Sequence, residues 1–80
     1  MKANRAYELL VRREGRMPAF LAGPGQLDHV EVVEVDSGEV VLFWDTPSRQ
    51  TGKLSRALKA DLAQLEAEAF IAKWRRWQPS

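Results

Sequence analysis

The chain has 80 residues, 12 Lys and Arg against 11 Asp and Glu, and no cysteine. Without cysteine there is no disulfide, no thiolate metal site and no Cys nucleophile, and a formal charge of +1 gives no long-range attraction to nucleic acid or anionic lipid from the total alone. A chain this short reads as one domain, residues 1–80, and buries only about 60–65% of the surface its unfolded form exposes, so most large apolar residues are needed in the core. Any that cannot reach it are candidates for a partner surface. Met1 to Val11 has no continuous apolar run of the signal-peptide kind, and no stretch approaches the length of a membrane span. The expectation is a cytoplasmic protein with no membrane contact.

Residues 3–14 fit two patterns. Tyr7, Leu9 and Val11 alternate as a strand does, whereas Ala6, Tyr7, Leu10, Val11 and Glu14 could line a short helix capped by Asn4. The alternation is favoured here, followed by a turn at Glu14-Gly15 and a second apolar run from Met17 to Ala22, with Pro18 marking an edge strand or a strand start. Gly23-Pro24-Gly25-Gln26 interrupts regular structure. Glycines can cradle a phosphate, but no helix opens directly after these, so a connector is the better reading.

His29 to Trp44 carries the hairpin signal: β-branched and aromatic residues on both sides of Asp36-Ser37-Gly38-Glu39. Gly38 can take the positive φ that such a turn needs. On a regular strand Val30 and Val32 fall on one face and Val33 and Val35 on the other. A bulge at Val32-Val33 would turn all four inward, with Glu31, Glu34 and Asp36 outward. In the second run Val40, Leu42 and Trp44 share one face and Val41 and Phe43 the other, which predicts a central strand or one with a covered face.

Thr46, with Pro47 after it, or else Thr51, is placed to cap a helix, and Lys53 to Trp77 reads as one long helix ended by Pro79. Leu54, Leu58, Leu62, Leu65, Ala69 and Ala72 form one stripe, the face that meets the sheet. Phe70, Trp74 and Trp77 centre roughly 130° away from it, which leaves three explanations: the N-terminal segment folds over them, the helix bends so that its C-terminal turns meet the sheet by a different face, or they form an interface. The predicted fold is α+β: an antiparallel meander of three to four strands with one long C-terminal helix packed on one face.

No residues assemble a catalytic, cofactor or metal motif, and a non-enzymatic protein is expected. His29 is the only histidine, and Ser37, Thr46, Ser48, Thr51 and Ser55 read as turn or capping hydroxyls. Asp28, Glu31, Glu34, Asp36 and Glu39 could offer oxygen ligands to a hard cation, but their order fits no calcium loop, and a solvated face that discourages edge pairing suits them better. Thr51-Gly52-Lys53 ends like a phosphate-binding loop, yet Pro47 stands where that motif requires glycine.

Two surfaces remain as function candidates. Phe70, Ile71, Trp74 and Trp77, with Arg75 and Arg76 as a polar rim, form a candidate protein interface, either for another protein or for a second copy in a homodimer. Arg49, Lys53, Arg56 and Lys59 cluster at the helix start as a candidate anion or nucleic-acid contact, spread over more than one helix face and with no aromatic among them to stack a base. A helical N-terminus would give α-β-β-β-α order, which resembles the element order of double-stranded-RNA-binding domains. That resemblance implies backbone phosphates at the basic start of the last helix.

Overall fold

Gly38 adopts φ 75° and lets the chain reverse. Its N–H donates to the Glu34 carbonyl and the Glu34 N–H donates to the Glu39 carbonyl, both at 2.8 Å, while the Glu39 N–H donates to Ser37 Oγ at 3.2 Å. The computed structural model describes residues 1–13 and 27–77, and this turn joins its strands β2 (Leu27–Glu34) and β3 (Val40–Pro47). A short helix α1 (Ala3–Ala6) leads into β1 (Tyr7–Arg13), which pairs with β2 from Tyr7 opposite Glu34 to Arg13 opposite Asp28. The three strands form an antiparallel sheet in the order β1-β2-β3. Residues 3–13 therefore divide: one helical turn, then the alternating strand. The turn expected at Glu14-Gly15, the strand at 17–22 and the connector at 23–26 lie outside the described residues.

Among the described residues β2, not β3, is the central strand, which corrects the first of the two readings of the second run. The register irregularity does fall at Val32/Val33, but the extra residue is on the partner strand: Val32 faces Leu42 and Val33 faces Val40, leaving Val41 over. β2 stays regular, so Val30 and Val32 point into the core and Val33 to the other face, where Glu8 and Val40 flank it. Val41 and Leu42 both reach the core as a result. Val35 lies in the turn and is 52% exposed rather than buried. On the outer face of β3, Phe43 is half exposed.

The expected long helix is two. α2 runs Ser48–Gln64 and α3 runs Ala67–Arg75, separated by Leu65 and Glu66 in extended conformation. A break frees backbone groups that must find partners elsewhere. The N-terminal residues supply them: the Ala3 N–H donates to the Leu65 carbonyl and the Ala67 N–H to the Met1 carbonyl, both at 2.9 Å. The Met1 α-amino group adds an ion pair with Glu66 Oε2 at 2.7 Å. α3 folds back along α2, so that Lys73 Nζ and Trp74 Nε1 donate to Asp61 Oδ2 at 2.6 and 3.0 Å.

The break resolves the two apolar directions in the sequence. Leu54, Leu58 and Leu62 bury one face of α2 against Val30, Val32, Leu42 and Trp44; beyond the break Ala69 and Ala72 are exposed and Phe70 and Trp74, one turn apart, face inward instead. Phe70 is fully buried, with ring centroids 6.1 Å from Tyr7 and 6.4 Å from Trp74. Neither expected cap forms: Pro47 occupies the N-cap position of α2, and Thr51 Oγ1 donates to the Pro47 carbonyl at 3.3 Å.

Candidate binding groove at the end of the helical hairpin

The four residues expected to form a protein interface separate. Phe70 and Trp74 are core residues, the latter 4% exposed, and are withdrawn from any docking surface of the folded chain. The reason is the break, which rotates α3 so that its aromatic stripe meets the sheet. Ile71 and Trp77 are half-buried against the same core and keep part of their surface open.

Trp77 lies just past the end of α3 and packs edge-to-face on Trp44 and Trp74, with centroids 5.5 and 5.4 Å away. With Trp74 it forms one wall of a groove of about 390 Å³, completed by Thr46 from β3 and by Gln50, Lys53, Leu54 and Ala57 from α2. Thr46 is the most buried of these at 1% exposure, and its Oγ1 has no hydrogen-bond partner. An unpaired buried hydroxyl is uncommon enough to need a reason.

Arg49, Lys53 and Arg56 follow an i, i+4, i+7 spacing and share one stripe of α2, while Lys59 falls to its side. All four are exposed and, among the described residues, none forms an ion pair; the same holds for Arg75 and Arg76, which precede Trp77. The first turn of α2 has no acidic residue and no side-chain cap. The positive end of the helix macrodipole adds to the same field. Charge is also divided between the layers: residues 48–77 hold seven Lys and Arg against three Asp and Glu, whereas residues 1–47 hold five against eight. The near-neutral total hides a cationic helical layer. The aromatic missing near the basic residues in sequence is supplied in space, because Trp77 shares the groove with Lys53.

The remaining polar residues are otherwise engaged. His29 Nδ1 pairs with Asp45 Oδ1 at 2.5 Å on the outer sheet face and its ring stacks on Phe43, with no described hydroxyl hydrogen-bonded to it. Two of the five hairpin carboxylates are not solvated as expected. Asp28 is buried and accepts from Ser48 Oγ at 3.2 Å, and Glu31 is buried with Arg12 Nε 3.7 Å away. Both lie on the central strand, whose side chains have neighbours on either side. Among the described residues no three His, Cys, Asp or Glu gather as a metal site, and no helix is long and apolar enough to cross a membrane. α1 is a single turn, so the resemblance to double-stranded-RNA-binding domains stops at the order of elements. No protein-family model, curated protein or solved structure matches the chain.

Proposed function

We propose that this chain is a non-enzymatic binding module that holds the phosphate backbone of a nucleic acid at the open end of its helical hairpin. One observation carries the reading: Arg49, Lys53 and Arg56 share a stripe in the first half of α2, exposed and without carboxylate partners. Lys73 and Lys2, by contrast, are paired with acids, and pairing would weaken any pull on a phosphate. Arg75 and Arg76 extend the cationic surface around the end of α3. Guanidinium groups suit this role because their planar forks grip phosphate oxygens in pairs.

Anisotropy of labelled oligonucleotides at low salt tests it. Wild-type protein binds, and a variant with Arg49, Lys53 and Arg56 all changed to Gln binds at least tenfold more weakly. No affinity of the wild type for either single or double strands removes the reading.

A second reading is a protein-interaction module, including a homodimer, that docks through Ile71 and Trp77. Their partial exposure beside buried Phe70 and Trp74 favours it over a patch of four aromatic and aliphatic anchors. Sedimentation across a concentration series distinguishes the dimer, which a strictly monomeric protein rules out.

A further inference from the structure

We infer that the groove between α2 and α3 receives one unstacked base of a single strand, with Trp77 as the stacking platform and Lys53 at the rim for the adjoining phosphate. The inference rests on the reading of the basic end as a phosphate site and names which nucleic acid it takes. Three features of the groove lead there.

The first is the state of Trp77. It is half-buried, and edge-to-face contacts with Trp44 and Trp74 hold its ring. A ring held in place and still partly open is a stacking surface that needs no ordering when a planar group arrives. The second is size. About 390 Å³ lies at the small end of the range that ligand sites occupy, room for one planar ring system and not for a run of bases or a helix. The third is polarity. Gln50 and Lys53 line the groove together with Thr46, whose buried hydroxyl has no hydrogen-bond partner. Polar groups on an otherwise apolar wall suit a base, which has a flat face and hydrogen-bonding edges, better than an aliphatic side chain. Charge complementarity selects the occupant: Arg49 and Arg56 flank Lys53 on the exposed stripe, Arg75 and Arg76 precede Trp77, and none of them is paired with an acid. A duplex keeps its bases stacked inside and would offer this groove nothing but phosphates.

The test compares four polyanions with the intact protein: a thymine homopolymer strand, an abasic strand of the same length, a duplex of the same length, and poly-glutamate. The thymine strand binds tightest and quenches tryptophan fluorescence; the abasic strand and the duplex bind more weakly without quenching. Trp77→Ala weakens the thymine strand roughly 5- to 150-fold and leaves the abasic strand unchanged, the range expected for loss of one stacked base. Trp77→Phe, which keeps a stacking ring and guards against a folding defect in the alanine variant, restores most of the affinity. Equal binding of thymine and abasic strands, or indifference of the thymine strand to Trp77→Ala, overturns the groove inference and leaves the phosphate reading standing. Poly-glutamate binding that quenches as strongly as the thymine strand overturns it too, in favour of an acidic protein partner. Absence of binding by all the nucleic acids at low salt overturns both.

Discussion

Replacing Phe70 by alanine asks whether α3 turns its aromatic stripe inward. Phe70 is fully buried, and its ring lies beside Tyr7 and Trp74. Truncating a buried phenylalanine costs about 3–5 kcal/mol through lost burial and the cavity left behind. The two ring contacts, at about 0.5–1.5 kcal/mol each beyond burial, place this site in the upper half of that range. Domains have only about 5–15 kcal/mol in total, and one of this length sits toward the lower end. The variant should therefore lose a large part of its stability. At about 4–8 °C per kcal/mol, its melting midpoint should fall by at least ~16 °C. Urea unfolding followed by far-UV circular dichroism reads the change, with Ile71→Ala as the neighbouring control, half-buried and expected to lose less than half as much. A Phe70→Ala midpoint within about 1 kcal/mol of wild type would refute the reasoning, because it would mean that the ring stands outside the core.

Other perturbations test separate contacts. Asp61→Ala removes the acceptor of both Trp74 Nε1 and Lys73 Nζ and leaves a buried indole N–H unpaired; the expected loss is about 1–3 kcal/mol by urea unfolding, and smaller for Asp61→Asn. Gly38→Ala meets no atom within 4 Å, so its cost comes from φ +75° alone; a loss of about 1–2 kcal/mol is expected, and Gly38→Asn should lose less. Glu66 is held below the ordinary carboxylate range by the hydrogen bond and charge of the Met1 α-amino group, with Lys2 adding to it. A carboxylate depressed in the folded state contributes stability above its unfolded pKa and loses it as pH falls through the lower folded value. The difference between wild type and Glu66→Gln should thus be steady from about pH 5 to 7 and disappear under more acidic conditions; a difference that grows on acidification would contradict the assignment.

Local chemistry made the hairpin legible. Gly38 declared the turn, the valine runs declared the strands, and Tyr7, Leu9 and Val11 declared β1 through their alternation. The leucine stripe identified the face of α2 that meets the sheet. The break after Gln64 was not legible as a break. Gln64, Leu65, Glu66 and Ala67 are good helix formers with no glycine or proline among them, and what holds the interruption open is bonded from Met1 and Ala3, more than sixty residues away in sequence. Its trace in the sequence was indirect: the apolar phase jumps between Leu62 and Phe70, which one straight helix on one sheet cannot accommodate. The position of Val41 was hidden similarly, because an irregular register can be relieved on either strand of a pair. Burial of Asp28 and Glu31 followed from β2 being central, a property of topology and not of composition. The groove eluded sequence reading because Trp77 and Lys53 are brought together only when α3 folds back.

The salt dependence of oligonucleotide affinity tests the cationic end most directly. Each phosphate neutralised on a single strand contributes about −0.7 to the slope of log affinity against log salt. Arg49, Lys53 and Arg56, with or without Arg75 and Arg76, then give a slope of about −2 to −3.5 for a thymine strand, and one nearer zero once the three α2 residues are glutamine. A flat wild-type slope, or no measurable complex at low salt, would contradict a phosphate-binding role for this end of the molecule.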